Sequence, residues 1–405
     1  MPAKLARPRC AGAFRALLAC CALGLAGCGV LPRNPVPPDL VAEATIPGMP
    51  EVRAWAGQRS PAMERDLIAS FTQESPDEFP IQRDGTVRYA SLALSGGGSN
   101  GAFGAGFLKG WTETGRRPVF KIVTGVSTGA LMAPFAFIGP PYDEPLRELY
   151  TTTGSGQIFA PLSIVQQLIV GESLADTGPL ATLIARHVDD VLMARVANAH
   201  LRGRRLYVGT ADLDSQRFVV WNMGLIATSG NPRALELFRK VMLASASIPI
   251  AFPPVFFEVE VGGRRHDEMH VDGGVGARVF MTGGMFRHSI VQERGGQGVG
   301  REDFFVVHNG QLGPVAAPTP RSLRGIGMRV LESAAKSAII GDLFRIYAVS
   351  LREEAGYNWV TIPEGVDLGG EEIFDPAVMS QLYDVGYRTA LQGPVWITGP
   401  PGLRD

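Results

Sequence analysis

Three short clusters, each built on glycine, hold the residue types able to do chemistry in this chain. Gly125-Val126-Ser127-Thr128-Gly129 matches G-x-S-x-G. At that spacing a serine can sit on a sharp strand-to-helix turn, with small flanking residues because the backbone passes close by and Oγ must stand clear of the sheet. A helix starting at that point directs its partial positive end toward an oxyanion forming beside Ser127. Ser95-Gly96-Gly97-Gly98-Ser99-Asn100-Gly101 is a second glycine-rich loop, and the unobstructed amides of Gly96, Gly97 and Gly98 can form an anion hole facing Ser127. Gly96-x-Gly98-x-x-Gly101 also spells the dinucleotide-binding fingerprint. That reading needs an acid at the end of the next strand to hold a ribose, and Thr124-Gly125 stands there. The third cluster is Asp272-Gly273-Gly274, an ordinary Asx-turn signal when taken alone.

A serine hydrolase also needs a base. The six histidines are His187, His200, His266, His270, His288 and His308. His187 and His200 lie at helical spacing in a polar stretch and His266 and His270 in a hairpin, so they read as surface residues. His308, ending Phe304-Phe305-Val306-Val307-His308, is placed as a catalytic histidine could be, and the order Ser127, Asp272, His308 fits a triad of the α/β-hydrolase type.

The elements that must position these residues follow from pattern. An apolar run at Val87–Ser95 predicts a buried strand, and Ala102–Thr114 a helix. Val119–Thr124 then reads as a strand and Thr128–Ile138 as a helix, which Pro134 should kink or shorten. This βαβα alternation predicts a three-layer α/β/α fold around a mainly parallel sheet. Pro140–His200 reads as a helical insertion, with pieces at Glu144–Tyr150, Ile164–Ile169 and Pro179–Ala199. Strands are expected at Arg204–Ala211 and Arg217–Asn222, a helix at Pro232–Ser245, and a hairpin of Val255–Val261 with Arg264–Val271 across Gly262-Gly263. A strand at Asp303–His308, helices at Leu323–Glu353 and Pro376–Gln392, and a short strand at Asn358–Ile362 complete the chain.

Taken with the segment Ala244–Pro249 (ASASIP), the three clusters occur in the order and context of a known family. From about Tyr89 to Gly310 the chain resembles the patatin-like phospholipases. The resemblance implies a patatin-like α/β/α domain and a serine acyl hydrolase of lipid or phospholipid esters. It also implies a Ser127–Asp272 dyad without histidine, and an acyl-enzyme intermediate with neither cofactor nor metal. Such a dyad makes chemical sense only if Asp272 is desolvated beside Ser127, so that its pKa rises. Asn100 departs from the family, which usually has Arg or Lys there; oxyanion stabilisation would then rest on backbone amides and the helix dipole. The triad esterase remains a rival, and so does a catalytically weak envelope-binding lipoprotein, which Asn100 favours. The apolar stretch Ile158–Val170 reads either as an acyl-chain groove or as a helix packed on the sheet.

Composition sets the frame. The chain has 405 residues, 45% of them hydrophobic and 19% charged, which excludes a disordered polymer. With 38 basic against 39 acidic residues it carries no basic footprint for nucleic acid. Lys4, Arg7, Arg9 and Arg15 precede an uncharged run at Ala16–Ala26, the pattern of an export signal and far short of the ~20 residues a spanning helix needs. Leu25-Ala26-Gly27-Cys28 looks like a lipobox. Residues 1–27 are therefore expected to be a lipoprotein signal and Cys28 the lipidated membrane anchor, directed to the bacterial outer membrane. The four cysteines lie at 10, 20, 21 and 28, which leaves the mature chain neither a disulfide framework nor a cysteine nucleophile. Residues 28–85, rich in proline, read as a tether leading to a loosely docked helical approach segment, 86–310 as the catalytic core, and 311–405 as its helical completion.

Overall fold

A strand that is apolar on both alternations is stable only when both its faces are covered. Val87–Leu94 is such a strand, and in the computed structural model it lies within a nine-stranded sheet with helices on both faces. The structure describes residues 32–163, 173–282, 284–286, 299–314, 316–369, 372–393 and 396–403. The expected signal, Cys28, His288 and the helical piece at Ile164–Ile169 lie outside them. In chain order the elements are β1 (Arg53–Trp55), α1 (Pro61–Thr72), β2 (Thr86–Leu94), α2 (Gly101–Glu113), β3 (Ile122–Val126), α3 (Thr128–Ile138), α4 (Asp143–Thr151), α5 (Gly178–His187) and α6 (Asp190–Leu201). They continue as β4 (Arg205–Asp212), β5 (Arg217–Asn222), α7 (Met223–Thr228), α8 (Ala234–Ser245), β6 (Val255–Val261), β7 (Arg264–Asp272), β8 (Val299–His308), α9 (Leu323–Arg352), β9 (Gly356–Thr361) and α10 (Pro376–Leu391).

Strand order is β1-β5-β4-β3-β2-β8-β9, with the hairpin β6–β7 joined to β4. The five strands β4, β3, β2, β8 and β9 are mutually parallel, whereas β1, β5 and the hairpin pair antiparallel. One face, through Leu92, Leu94, Val123 and Val208, packs with residues of α2, α3, α8 and α10. The other packs Val87, Tyr89 and Ile122 with Met63, Leu67 and Phe71 of α1, and Phe304 and Val306 with Ile339, Leu343 and Ile346 of α9. The glycines of α2 let helices touch backbone to backbone: a Cβ on Gly106 would stand 1.9 Å from the Tyr383 carbonyl of α10.

Two expectations need correction. Residues 36–85 hold the expected helical segment, as α1, but they are neither a tether nor loosely docked: Val36–Asp405 forms one compact unit, in which β1 pairs with β5 and α1 buries Met63 and Leu67 completely. Proline misled there. Pro61 stands in the first turn of α1 behind the Ser60 cap, where a missing N–H costs nothing. The helix expected at Pro179–Ala199 is two helices, because the Asp189 carboxylate caps a new start by accepting from the Leu192 amide at 2.8 Å. Of the two effects expected of Pro134, shortening is not seen: α3 runs on to Ile138, its expected end, with most of its residues buried. No helix among the described residues is long and apolar enough to cross a membrane.

Candidate active site

The register of β4 brings Ser127 and Asp272 together. Along one edge β4 pairs with β3 as far as Val126 opposite Gly209, and the next position, Thr210, faces Asp272 of β7. The chain leaves the sheet at Ser127 where the hairpin strand takes over the same edge. Ser127 adopts φ 56° and ψ −126°, a sparsely populated conformation for a residue with a side chain. The crowding that imposes it is visible at Gly129, where a Cβ would stand 2.2 Å from the Leu94 carbonyl.

Ser127 Oγ donates to Asp272 Oδ2 at 2.5 Å, and the Gly274 amide donates to Oδ1 at 2.7 Å. Both side chains are buried, at 5% and 4% exposure. Burial pushes the Asp272 carboxyl above its ordinary value, against the lowering effects of the Arg278 charge and the hydrogen bonds from Ser127 and Gly274. The ASASIP segment braces both partners. Ser245 Oγ accepts from the Ser127 amide at 3.0 Å and donates to the Gly209 carbonyl at 2.7 Å, while the Ser247 carbonyl accepts the Asp272 amide at 2.8 Å.

The glycine loop follows β2 at the same end of the sheet, where open α/β sheets place their sites. Asn309, just past β8, anchors it: its amide donates to Ser95 Oγ and its Nδ2 to the Ser95 carbonyl, each at 2.9 Å, while its Oδ1 accepts the Gly104 amide at 3.1 Å. Of the three amides expected to face an anion, that of Gly96 is already spent on the Arg278 carbonyl at 3.0 Å. Gly96 thus leaves the expected anion hole. The amides of Gly97 and Gly98 have no protein acceptor among the described residues.

His308 is not brought to the pair. Its Nδ1 lies 2.9 Å from Thr361 Oγ1, and it bonds neither Ser127 nor Asp272. Burial, with the Arg278 and Lys336 charges adding to it, pushes His308 down to about 3. His200 and His270 are not surface residues either: they are 3% and 0% exposed. His270, with Asp212 and Glu268, offers ligand atoms within 4.8 Å of one another. These are used inside the protein: Glu268 pairs with Arg53, His270 Nδ1 meets Thr210 Oγ1 at 2.9 Å, and Asp212 receives the Asp214 amide at 3.0 Å.

The four clusters thus converge at one end of the sheet, and residues 92–281, which contain them all, match the family model described as patatin-like phospholipase. Residues 92–281 belong to the patatin-like phospholipase family. The match supports a lipid hydrolase in general terms. No curated protein matches the chain in sequence. Among solved structures it is similar to VipD from Legionella pneumophila, with 12% identity over 78% of this chain and 69% of that one and a TM-score of 0.37. It is also similar to human GIVD cytosolic phospholipase A2, with 10% identity over 84% of this chain and 64% of that one, again at 0.37. Within the ASASIP segment nothing in the sequence gives Ser245 its task. Asn309 and Arg278 stand in no local pattern that would signal a place at the site.

Proposed function

We propose that the patatin-like domain is a serine acyl hydrolase of lipid esters that works through Ser127 and Asp272. The observation that carries this reading is the direct 2.5 Å hydrogen bond between Ser127 Oγ and a buried Asp272. As Oγ attacks the ester carbonyl its proton passes to Asp272, and the carbonyl π pair moves to oxygen. On collapse the pair returns, the alcohol leaves with the proton from Asp272, and an acyl-enzyme remains. Water then attacks the acyl carbon, gives its proton to Asp272, and the collapsing intermediate returns that proton to Ser127 Oγ as the acid departs. The free amides of Gly97 and Gly98 and the α3 N-terminus face the developing oxyanion.

A fluorophosphonate probe tests the nucleophile without knowledge of the substrate. Wild type and His308→Ala are expected to label, Ser127→Ala not at all, and Asp272→Asn far more slowly. General-base catalysis is worth ~10²–10⁴-fold, so a loss in His308→Ala equal to that in Ser127→Ala, with both folded, would replace the dyad by the triad. For the anchor, the proposed species is Cys28 diacylated after removal of residues 1–27, in the bacterial outer membrane. For substrate, long acyl chains are proposed to be preferred. Within the described part of the apolar stretch, Ile158 is buried and the Phe159 ring packs at a tilt against Phe252, 5.7 Å between ring centres, giving an apolar wall on the segment that follows ASASIP.

A further inference from the structure

We infer that the guanidinium of Arg278 is a catalytic cation of this site, facing the oxyanion that forms at Ser127. The inference rests on the Ser127–Asp272 reading and adds to it a residue from a different loop.

Arg278 follows the Asp272 turn, and its backbone is held on two sides. Its amide donates to Asp342 Oδ2 of α9 at 2.7 Å, and its carbonyl accepts the Gly96 amide at 3.0 Å. The side chain then reaches back across the two loops that flank the serine. A Cβ on Gly274 would lie 2.7 Å from Nη1; a Cβ on Gly96 would lie 3.6 Å from Nη2 and 3.1 Å from the Ser127 Cβ. These glycines leave the room that the guanidinium occupies. Among the described residues it makes no hydrogen bond and no ion pair, although arginine carries five donors. Its nearest backbone partner, Asp342, gives its other carboxylate oxygen to Arg345 at 2.8 Å.

A half-buried guanidinium with unspent donors beside a nucleophile is what a transient negative charge needs. When Oγ bonds to the acyl carbon and the carbonyl pair moves to oxygen, the charge appears between the Gly97 and Gly98 amides and this cation; on collapse the pair returns and the interaction ends. The neutral Asn100 of the glycine loop supplies no such charge. Arg278 also faces three titrating groups, Asp272, Asp342 and His308, and lowers all three. Its removal therefore lets the Asp272 carboxyl rise further, with Ser127 and the Gly274 amide as the remaining groups that oppose burial.

The test uses the purified full chain with a neutral p-nitrophenyl ester and with an anionic phospholipid in mixed micelles. Arg278→Met and Arg278→Gln are expected to lose ~10²–10³ in kcat on the neutral ester, the scale of one oxyanion donor, with KM little changed. Arg278→Lys should recover at least tenfold of that, and the acid limb of the pH profile should move to higher pH in the Met and Gln variants. Wild-type turnover in both neutral variants, with Ser127→Ala inactive, would overturn the inference and leave the dyad standing. A loss confined to KM for the anionic phospholipid would overturn it in favour of a headgroup anchor. A loss with an unmoved acid limb and no recovery by Lys would make Arg278 merely structural. An active Ser127→Ala would remove the dyad reading itself.

Discussion

Asp272 has to be charged to accept a proton, yet it sits where charge is costly. Because burial raises its pKa in the folded protein above the ordinary carboxyl value, its contribution to folding is fullest below the unfolded value and declines as pH rises through the folded one. Once ionised, the carboxylate is therefore a destabilising group, as the base role proposed for it would require. Asp272→Asn should melt at a higher temperature than wild type near pH 7, with the difference shrinking toward pH 3, while turnover falls ~10²-fold or more; calorimetry across that range checks the sign. For the same reason wild-type activity should fall as pH drops through the raised Asp272 value, since only the ionised form is a base. Ser245 is a second residue with a single task. Without its hydroxyl the buried Ser127 amide and Gly209 carbonyl each lose a partner, at ~1–3 kcal/mol for an unsatisfied buried group. Ser245→Ala is expected to lower both melting temperature and kcat, and Ser245→Thr to restore part of each if the methyl group is accommodated.

Among the elements, the first half of the parallel core was legible, because β2 and β3 each run into a glycine cluster and the helices that follow them, α2 and α3, are largely apolar. α3 was expected at its observed bounds, and the hairpin β6–β7 turned where Gly262-Gly263 said it would. What could not be read was which edge each strand would join. The pairing of Thr210 with Asp272 depends on β3 ending one residue earlier, a tertiary fact with no local pattern. The tight docking of the segment before β2 was missed for another reason: it comes from charge as well as from apolar periodicity. Asp66 of α1 accepts from Arg205 Nε at 2.6 Å and from Asn222 Nδ2 at 2.8 Å. Glu74 holds the fully buried Lys121 at 2.6 Å, with the ammonium 4.3 Å from the Phe71 ring centre. Burial alone would raise the Asp66 pKa, but the hydrogen bonds and charges of His200, Arg205 and Asn222 outweigh it and hold it low. A depressed carboxyl contributes stability above its unfolded value and loses it as pH falls through the folded one. Asp66→Ala, which strands the fully buried Arg205, should cost ~3–5 kcal/mol at neutral pH and distinctly less below pH 4, as urea titration at the two pH values would show. Removal of residues 36–85 should abolish folding of the catalytic core, in contrast to the removal of a true tether.

At the scale of the molecule the question is how a domain with no membrane-crossing helix among its described residues meets a water-insoluble substrate. The proposed answer lies in Cys28 and the chain that follows it. A single acyl chain binds a bilayer only marginally, so durable attachment takes at least two, which diacylation of Cys28 would provide. Anchoring then changes the reaction from capture out of solution to encounter in two dimensions, because a short linker raises the effective concentration of the site at the surface. Since residues 36–85 are part of the folded unit, the stretch between Cys28 and that unit is far shorter than a tether running to residue 85, and an anchor at Cys28 would hold the domain close to the bilayer. Three outcomes follow for Cys28→Ser expressed in a bacterial host. The protein should leave the membrane fraction, and its turnover of a soluble p-nitrophenyl ester should match that of the anchored form, because the Ser127 site is untouched. Its turnover of phospholipid in vesicles should fall ~10-fold or more, and restoring a membrane address with an unrelated lipoprotein signal should recover it. Cys28→Ser protein that stays in the membrane fraction at the wild-type level would show that something other than this cysteine holds the enzyme there.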